Sequence, residues 1–180
     1  MTHTIRVARR RRVAFLVALF AVTFSSEARS QESAPVFRPM ISLAGPRVGV
    51  TAMSSGVVNR LKRENIDIAG VVTQFGWQSE KRFYSDPGGV SGVTEGVLLI
   101  GGTEQGQFLP SFTWLVGFRT ADGVEFGVGP NVTPLGVSLA LAGGITYRVG
   151  DLNVPVNLAL VPSASGVRLS LLTGFNMGMR

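Results

Sequence analysis

The sequence predicts an all-β protein, a single antiparallel up-and-down β-barrel of about eight strands, with one short helix near residues 54–65. Two observations predict this fold. From Val71 onward, apolar residues recur at every second position over long segments, as expected of strands with two unlike faces. Glycine, proline, asparagine and aspartate stand between these segments, in connections short enough for hairpins. Eight antiparallel strands joined in this way can close on themselves, and closure leaves no strand edge unpaired.

The N-terminal segment has the pattern of a secretory signal peptide. A basic stretch from Arg6 to Arg12 precedes the apolar run Val13–Phe24, which is shorter than the roughly 20 residues of a membrane-spanning helix. The small residues Ala28 and Ser30 then provide a cleavage site. An uncleaved anchor or a basic tail is the alternative. We therefore expect a signal peptide at 1–30, a linker at 31–45 and the β-barrel domain at 46–180.

Cleavage would remove most of the net positive charge. The whole chain has 17 basic and 11 acidic residues, but residues after Ser30 include only 11 basic and 10 acidic ones. Nucleic-acid binding is not expected, because it requires a basic stripe on the folded domain.

The chain has no cysteine, and its one histidine, His3, lies in the signal segment. Thiolate chemistry, a Ser-His-Asp triad and a histidine metal site are therefore excluded for the mature chain, and we expect no catalytic, cofactor or metal site.

Elements can be assigned in order along the chain. Pro46–Met53 alternates as a short strand. Ser54–Asp67 has a helical pattern, with a serine as a possible cap and a narrow apolar stripe. We interpret it as a surface helix or a loop with one helical turn; a helix that lies on a membrane or plugs the barrel mouth is the alternative. "GGTEQG" (Gly101–Gly106) and "GVGPN" (Gly127–Asn131) are interpreted as turns. Seven further strands are predicted at 71–84, 92–103, 107–119, 123–129, 135–149, 151–161 and 166–178.

The two faces of the longer strands differ in size and polarity. A soluble barrel would have to hold the large apolar face in a lumen that eight strands only just fill, beneath an outer surface poor in charge. The inverted arrangement fits the side chains better, with bulky residues facing lipid. The tryptophans and Tyr147 could then form an aromatic girdle at the interfaces. The predicted lipid-facing aromatics are Phe75, Trp77, Phe112, Trp114, Tyr147 and Phe175.

The opposite face carries small residues and a few charges, which are expected to form an ion-pair network in the lumen. An unpaired charge there would be costly, so the network is interpreted as structural, with Arg168 paired to a glutamate. An acid/base site or an ion path built from the same carboxylates is the alternative. The predicted members are Glu80, Arg82, Glu95, Arg119, Glu125, Arg148 and Arg168.

Residues 46–179 resemble the small eight-stranded outer-membrane barrels of the OmpA and OmpX type. The resemblance rests on export, alternating strands, short turns and a final amphipathic strand, "VRLSLLTGF", which ends on Phe175. In that class the barrel-assembly machinery reads such a strand, although here further residues follow Phe175.

The resemblance implies the outer membrane of a Gram-negative-type bacterium, with outer-membrane lipid and the barrel-assembly machinery as partners. The implied role is structural, adhesion-like or that of a narrow pore, without catalysis. The alternative is a soluble periplasmic, lipocalin-like barrel that binds a lipid or another small ligand.

Overall fold

A computed structural model describes residues 42–150 and 152–179. These residues form one closed, antiparallel, up-and-down barrel of eight strands with one α-helix, which confirms the predicted fold class. The predicted signal peptide at 1–30, and residues 31–41 of the predicted linker, lie outside the described residues. No helix in the described part of the chain is long and apolar enough to cross a membrane.

Each strand pairs with the next along the chain, and β1 closes the barrel by pairing with β2 on one edge and with β8 and β9 on the other. The short β9 continues the line of β8 beyond Phe175 and Asn176, so the barrel has eight strand positions. The elements are β1 (Ser42–Met53), α1 (Ser55–Arg63), β2 (Val71–Ser85), β3 (Ser91–Gly101), β4 (Leu109–Arg119), β5 (Val124–Thr133), β6 (Gly136–Val149), β7 (Leu152–Ser163), β8 (Gly166–Gly174) and β9 (Met177–Met179).

β1 begins earlier than the sequence pattern predicts. It starts at Ser42, inside the segment expected to be a linker, because Ser42–Ala44 pair with Met177–Met179. The residues after Phe175, which depart from the pattern of the resembled class, are thus the partner of this additional part of β1. The first and last strands of the described part of the chain therefore pair with each other.

The turn predicted at Gly127–Asn131 is wrong, because these residues lie inside β5. Pro130 has no N–H to donate, and pairing of β4 with β5 is interrupted opposite it, between Asn131 and Val128. The register is the same on both sides of the interruption. The turn comes instead after Thr133, where β5 ends. Pro130 and Asn131 favour a turn locally, but pairing of β5 with β4 and β6 keeps this segment extended.

The strand registers determine the tilt of the barrel. A path that follows these registers from strand to strand, starting at Ala44, passes once around the barrel and returns to β1 at Ser54, ten residues further on. This shift over eight strands corresponds to a tilt of about 40°, for strands about 4.8 Å apart that rise about 3.3 Å per residue. Each residue therefore adds about 2.5 Å of height along the barrel axis.

The two ends of the barrel carry different connections. The terminal end holds the start of β1, the end of β9, the turns at 86–90 and 120–123, and Gly150 after the end of β6. The helix end holds the longer connections at 54–70 and 102–108, together with two tight turns. The helix end is thus the more elaborate of the two.

α1 covers the mouth at the helix end. Its buried Val57 and Leu61 pack against Ile68 and Val72. Arg60 reaches the opposite rim, where it donates hydrogen bonds to Ser165 Oγ at 3.1 Å and to the carbonyl oxygen of Leu135 at 3.2 Å. α1 is therefore not a plain surface helix. It covers the mouth of the barrel, which was one of the alternatives given above.

The predicted serine cap of α1 is replaced by a tertiary contact. Ser54 occupies the N-cap position but makes no side-chain bond to the helix. Its hydroxyl accepts a hydrogen bond from the Val167 N–H at 3.0 Å, and its own N–H donates to the Val167 carbonyl at 3.0 Å. Ser54 thus joins the start of the helix to β8.

Candidate functional site

The outer face of the barrel is apolar and almost free of charge. Among strand residues that the structure describes, Lys81 is the one charged side chain on this face. The six aromatic residues predicted to face outward are all exposed on it: Phe75, Trp77, Phe112, Trp114, Tyr147 and Phe175. Exposed valine and leucine side chains fill the face between them.

This apolar face spans most of the height of the barrel. On the chain leading into and along β4, the exposed Phe108 and Phe118 are ten residues apart, which corresponds to about 25 Å of height. Trp77 and Trp114 lie at mid-height, away from the ends where an aromatic girdle would lie. The Trp114 indole N–H donates to Thr94 Oγ1 at 2.7 Å, so its polar group has a partner on the outer face itself.

The lumen near the terminal end is filled by a polar layer, which we define as Arg47, Gln78, Glu80, Glu95, Arg119 and Glu125. At its centre, Arg119 Nη1 and Nη2 donate to the two carboxylate oxygens of Glu80, each at 2.6 Å. Arg119 Nε donates to Glu125 Oε2 at 2.8 Å, and Nη2 contacts the same oxygen. Three strands supply these residues, and all three side chains are buried. Such bidentate, charge-assisted bonds are among the strongest in proteins.

The second cation of the polar layer is Arg47, which was not predicted. Only 1% of it is exposed. Arg47 Nε donates to Gln78 Oε1 at 2.8 Å, and Nη2 donates to Asn176 Oδ1 at 2.7 Å. Gln78 in turn donates to Glu95 Oε2 at 2.9 Å. In the sequence, Arg47 falls on the strand face opposite Val48 and Val50, which point outward, so this alternation could have predicted that Arg47 lies in the lumen.

The other predicted members of the network lie elsewhere. Arg168 donates to Asn131 Oδ1 at 2.8 Å and makes no ion pair with a described carboxylate, so the prediction that it pairs with a glutamate is wrong. Arg148 is exposed near the terminal end. Arg82 is half-buried, and its Nε has no partner among the described residues. Of the predicted network, the ion pairs that the structure describes join only Glu80, Arg119 and Glu125.

The arrangement of the polar layer favours a structural role over metal binding. Glu80, Glu95 and Glu125 each place an oxygen within 4.8 Å of the others. The Arg119 guanidinium, however, occupies both oxygens of Glu80 and one of Glu125, which is where a metal ion would need ligands. Two of the three carboxylates, Glu80 and Glu125, are thus neutralised by a side chain of the protein.

The lumen near the helix end holds a cavity, which we call the helix-end cavity. Its empty space, including the part open to solvent, is about 970 Å³. Gln78 and Glu95 lie at its floor, and Val57 and Leu61 of α1 lie at its roof. The wall is mainly apolar, with contributions that include Val97, Leu99, Leu115, Ala140, Val161 and Leu172.

One polar strap crosses this part of the lumen from β8 to β4. Arg168 donates to Asn131, as described above, and Asn131 Nδ2 donates to Ser111 Oγ at 2.9 Å and to Thr113 Oγ1 at 2.8 Å. All of these residues line the helix-end cavity. Asn131 is 2% exposed, and both its amide oxygen and its amide nitrogen are hydrogen-bonded. The strap therefore holds the Arg168 guanidinium at the cavity wall.

The connection between β3 and β4 is attached to β2 through Glu104, in the 3-10 turn Thr103–Gln105. The Glu104 carboxylate accepts hydrogen bonds from the Thr73 hydroxyl at 2.6 Å and from the Thr73 N–H at 2.8 Å. These two bonds lower the pKa of Glu104 from about 4.5 to about 2, and the bond from the hydroxyl has the larger effect.

The bond between Glu104 and Thr73 is expected to persist well into the acid range. Because the pKa of Glu104 is depressed in the folded protein, its contribution to stability is present above about pH 4.5 and is lost as the pH falls to about 2. In an NMR titration, the Thr73 amide shift should change with a midpoint near pH 2. Glu104→Gln should abolish this titration, and a midpoint near 4.5 in the unaltered protein would contradict the assignment.

No protein-family model matches this chain, and no curated protein is significantly similar to it.

Proposed function

We propose that this chain is an integral outer-membrane β-barrel with a closed lumen and a structural rather than catalytic role. The observation that carries the proposal is the outer face, which is apolar over about 25 Å of height and has Lys81 as its one charge in the described strands. An apolar band of about 25 Å is characteristic of outer-membrane barrels. Monomeric soluble proteins rarely expose contiguous apolar patches beyond a few hundred Å².

The connections support one orientation in the membrane. Bacterial outer-membrane barrels have short periplasmic turns and longer extracellular loops. In this chain the longer connections, including α1, lie at the helix end, opposite the end that holds both termini of the described barrel. The proposed arrangement therefore has the terminal end in the periplasm and α1 at the cell surface. The signal-peptide pattern, and the amphipathic last strand of the kind that the barrel-assembly machinery reads, agree with export to the outer membrane.

The polar layer favours a closed barrel over a narrow pore. Arg119 bridges β4, β2 and β5, and Arg47 joins β1 to β2 and to Asn176. These bonds fill the lumen near the terminal end with paired side chains. We expect no steady ion conductance when the purified protein is inserted into a planar bilayer.

A soluble lipocalin-like barrel is the competing proposal. Such a barrel needs a polar exterior and a lumen able to accept the bulky apolar side chains. Here the two tryptophans are about half exposed on the outer face, at 50% for Trp77 and 55% for Trp114. Glutamate and arginine occupy the lumen instead. This distribution favours lipid as the surroundings of the barrel.

The test combines fractionation with a depth measurement. The chain, expressed with its own signal segment in a Gram-negative host, should stay in the outer-membrane fraction after carbonate and urea washes. In reconstituted vesicles, Trp77→Phe and Trp114→Phe variants each leave one tryptophan, which lipids brominated near the bilayer centre should quench most. Recovery as a soluble periplasmic monomer, or quenching mainly by aqueous iodide, would refute the proposal.

A further inference from the structure

We propose that the helix-end cavity binds an anionic single-chain amphiphile of the fatty-acid class, with its acid group on Arg168 and its chain in the apolar part of the lumen. This inference goes beyond the proposed membrane location. It concerns the lumen alone, so it does not depend on what surrounds the outer face.

The wall of the helix-end cavity has the character of a chain-binding site. Val97, Leu99 and Leu172 form one buried apolar cluster, and Leu115, Ala140 and Val161 form another. Small side chains leave room beside these clusters, since Ala142 of β6 and its partner Ala159 of β7 both line the cavity. Binding sites for small molecules are typically apolar cavities with a few placed polar groups.

The depth of the cavity suits a chain rather than a compact molecule. Val72 and Gln78 both line it and are six residues apart on β2, which corresponds to about 15 Å of height. α1 roofs it with Val57 and Leu61, and Arg60 holds the helix to the far rim. An extended apolar chain would therefore be shielded from water along its length.

Arg168 provides the site for the acid group. It lies two residues from the start of β8, close to the helix end, and lines the cavity. Its one described hydrogen bond runs from Nη2 to Asn131, and no carboxylate among residues 42–150 and 152–179 pairs with it. By contrast, Arg119 is bound to two glutamates. A half-buried guanidinium without an anion is costly, and a carboxylate is its preferred bidentate partner.

The charges at the two ends of the cavity determine the direction of the ligand. Glu95 lies at the floor, with Glu80 and Glu125 close to it. The two arginines of the polar layer at the floor already bond to its other side chains, whereas Arg168 has no carboxylate partner among the described residues and attracts an anionic head near the rim. The chain would thus point from Arg168 toward the middle of the barrel. A cationic amphiphile of equal chain length lacks this complementarity at Arg168.

The test uses decanoate, decanol and decyltrimethylammonium as matched probes. The mature protein in phosphatidylcholine nanodiscs is dialysed against each labelled probe, with empty nanodiscs as the background. We expect saturable binding of one decanoate per barrel, weaker binding of decanol, and binding of the cation no greater than to empty nanodiscs. Decanoate binding no greater than the background would overturn the proposal, as would equal affinity for the anion and the cation.

Two variants and one matched control locate the site. Arg168→Gln keeps a donor for Asn131 but removes the charge, so affinity for decanoate should fall at least about tenfold while affinity for decanol stays within about twofold. Arg148→Gln removes an exposed lumen-face arginine at the other end and should leave both affinities unchanged. Ala142→Leu narrows the chain path and should weaken both probes. Unchanged decanoate affinity in folded Arg168→Gln would refute the assignment, whether or not Ala142→Leu folds.

Discussion

Replacement of Arg119 by methionine is expected to lower the free energy of unfolding of the barrel by about 3–5 kcal/mol, the range for removal of one partner from a buried ion pair. Arg119 is 7% exposed and neutralises Glu80, which is 1% exposed, and Glu125, which is 5% exposed. Without the guanidinium, both carboxylates remain buried with no cation in contact. Urea unfolding in lipid vesicles, followed by tryptophan fluorescence and by gel mobility, measures the loss.

Two further variants separate this effect from a general loss of packing. Arg148→Met changes an exposed arginine at the same end of the barrel and should shift stability by no more than about 0.5 kcal/mol. Glu80→Gln and Glu125→Gln, introduced together with Arg119→Met, remove the uncompensated charge and should restore much of the loss. If the triple variant is no more stable than Arg119→Met alone, charge neutralisation is not the role of Arg119.

Replacement of Gly117 by alanine is expected to destabilise the barrel by about 3 kcal/mol, at the upper end of the range for overpacking. Gly117 lies on the inner face of β4, opposite Gly127 of β5. A Cβ atom at this position would lie 1.9 Å from the carbonyl oxygen of Phe126 and 2.7 Å from the Gly127 Cα. These are backbone atoms, so relief requires the two strands to separate. The folded fraction in vesicles and the urea midpoint measure the effect.

Gly96 provides the matched control for this prediction. It is also a strand glycine, but a Cβ atom there would meet only the Phe112 ring, at 3.8 Å, which is an ordinary contact. Gly96→Ala should therefore change stability by no more than about 0.5 kcal/mol. Equal effects of the two substitutions would show that Gly117 is not required for the close approach of β4 and β5.

The strands could be predicted because their signal is local. Alternation of bulky and small residues with a period of two identifies a strand and assigns each residue to a face. For this reason Glu80, Glu95, Arg119 and Glu125 could be placed in the lumen before any pairing was known. The same rule applied to Pro46–Met53 would also have placed Arg47 there, on the face opposite Val48 and Val50.

The partners of the lumen residues could not be predicted, because alternation gives the face of a residue and not its height. Height depends on how each strand is staggered against the next, and that stagger accumulates around the closed barrel. Arg168 lies beside Asn131, closer to the helix end than the polar layer, and forms no ion pair with a glutamate in the described part of the chain. The sequence alone predicts a turn at Asn131, since proline and asparagine are turn residues in isolation.

By itself, the sequence determined that this protein is an eight-stranded barrel with bulky residues on one face and small or charged residues on the other. These properties follow from a two-residue period and from short turns, both of which are local. Only the tertiary structure decided that Ser42 pairs with the chain end, that α1 covers the mouth, and that Arg168 stands apart from the ion pairs. Each of these depends on contacts between residues far apart in the chain, which exist only once the strand registers have closed the barrel.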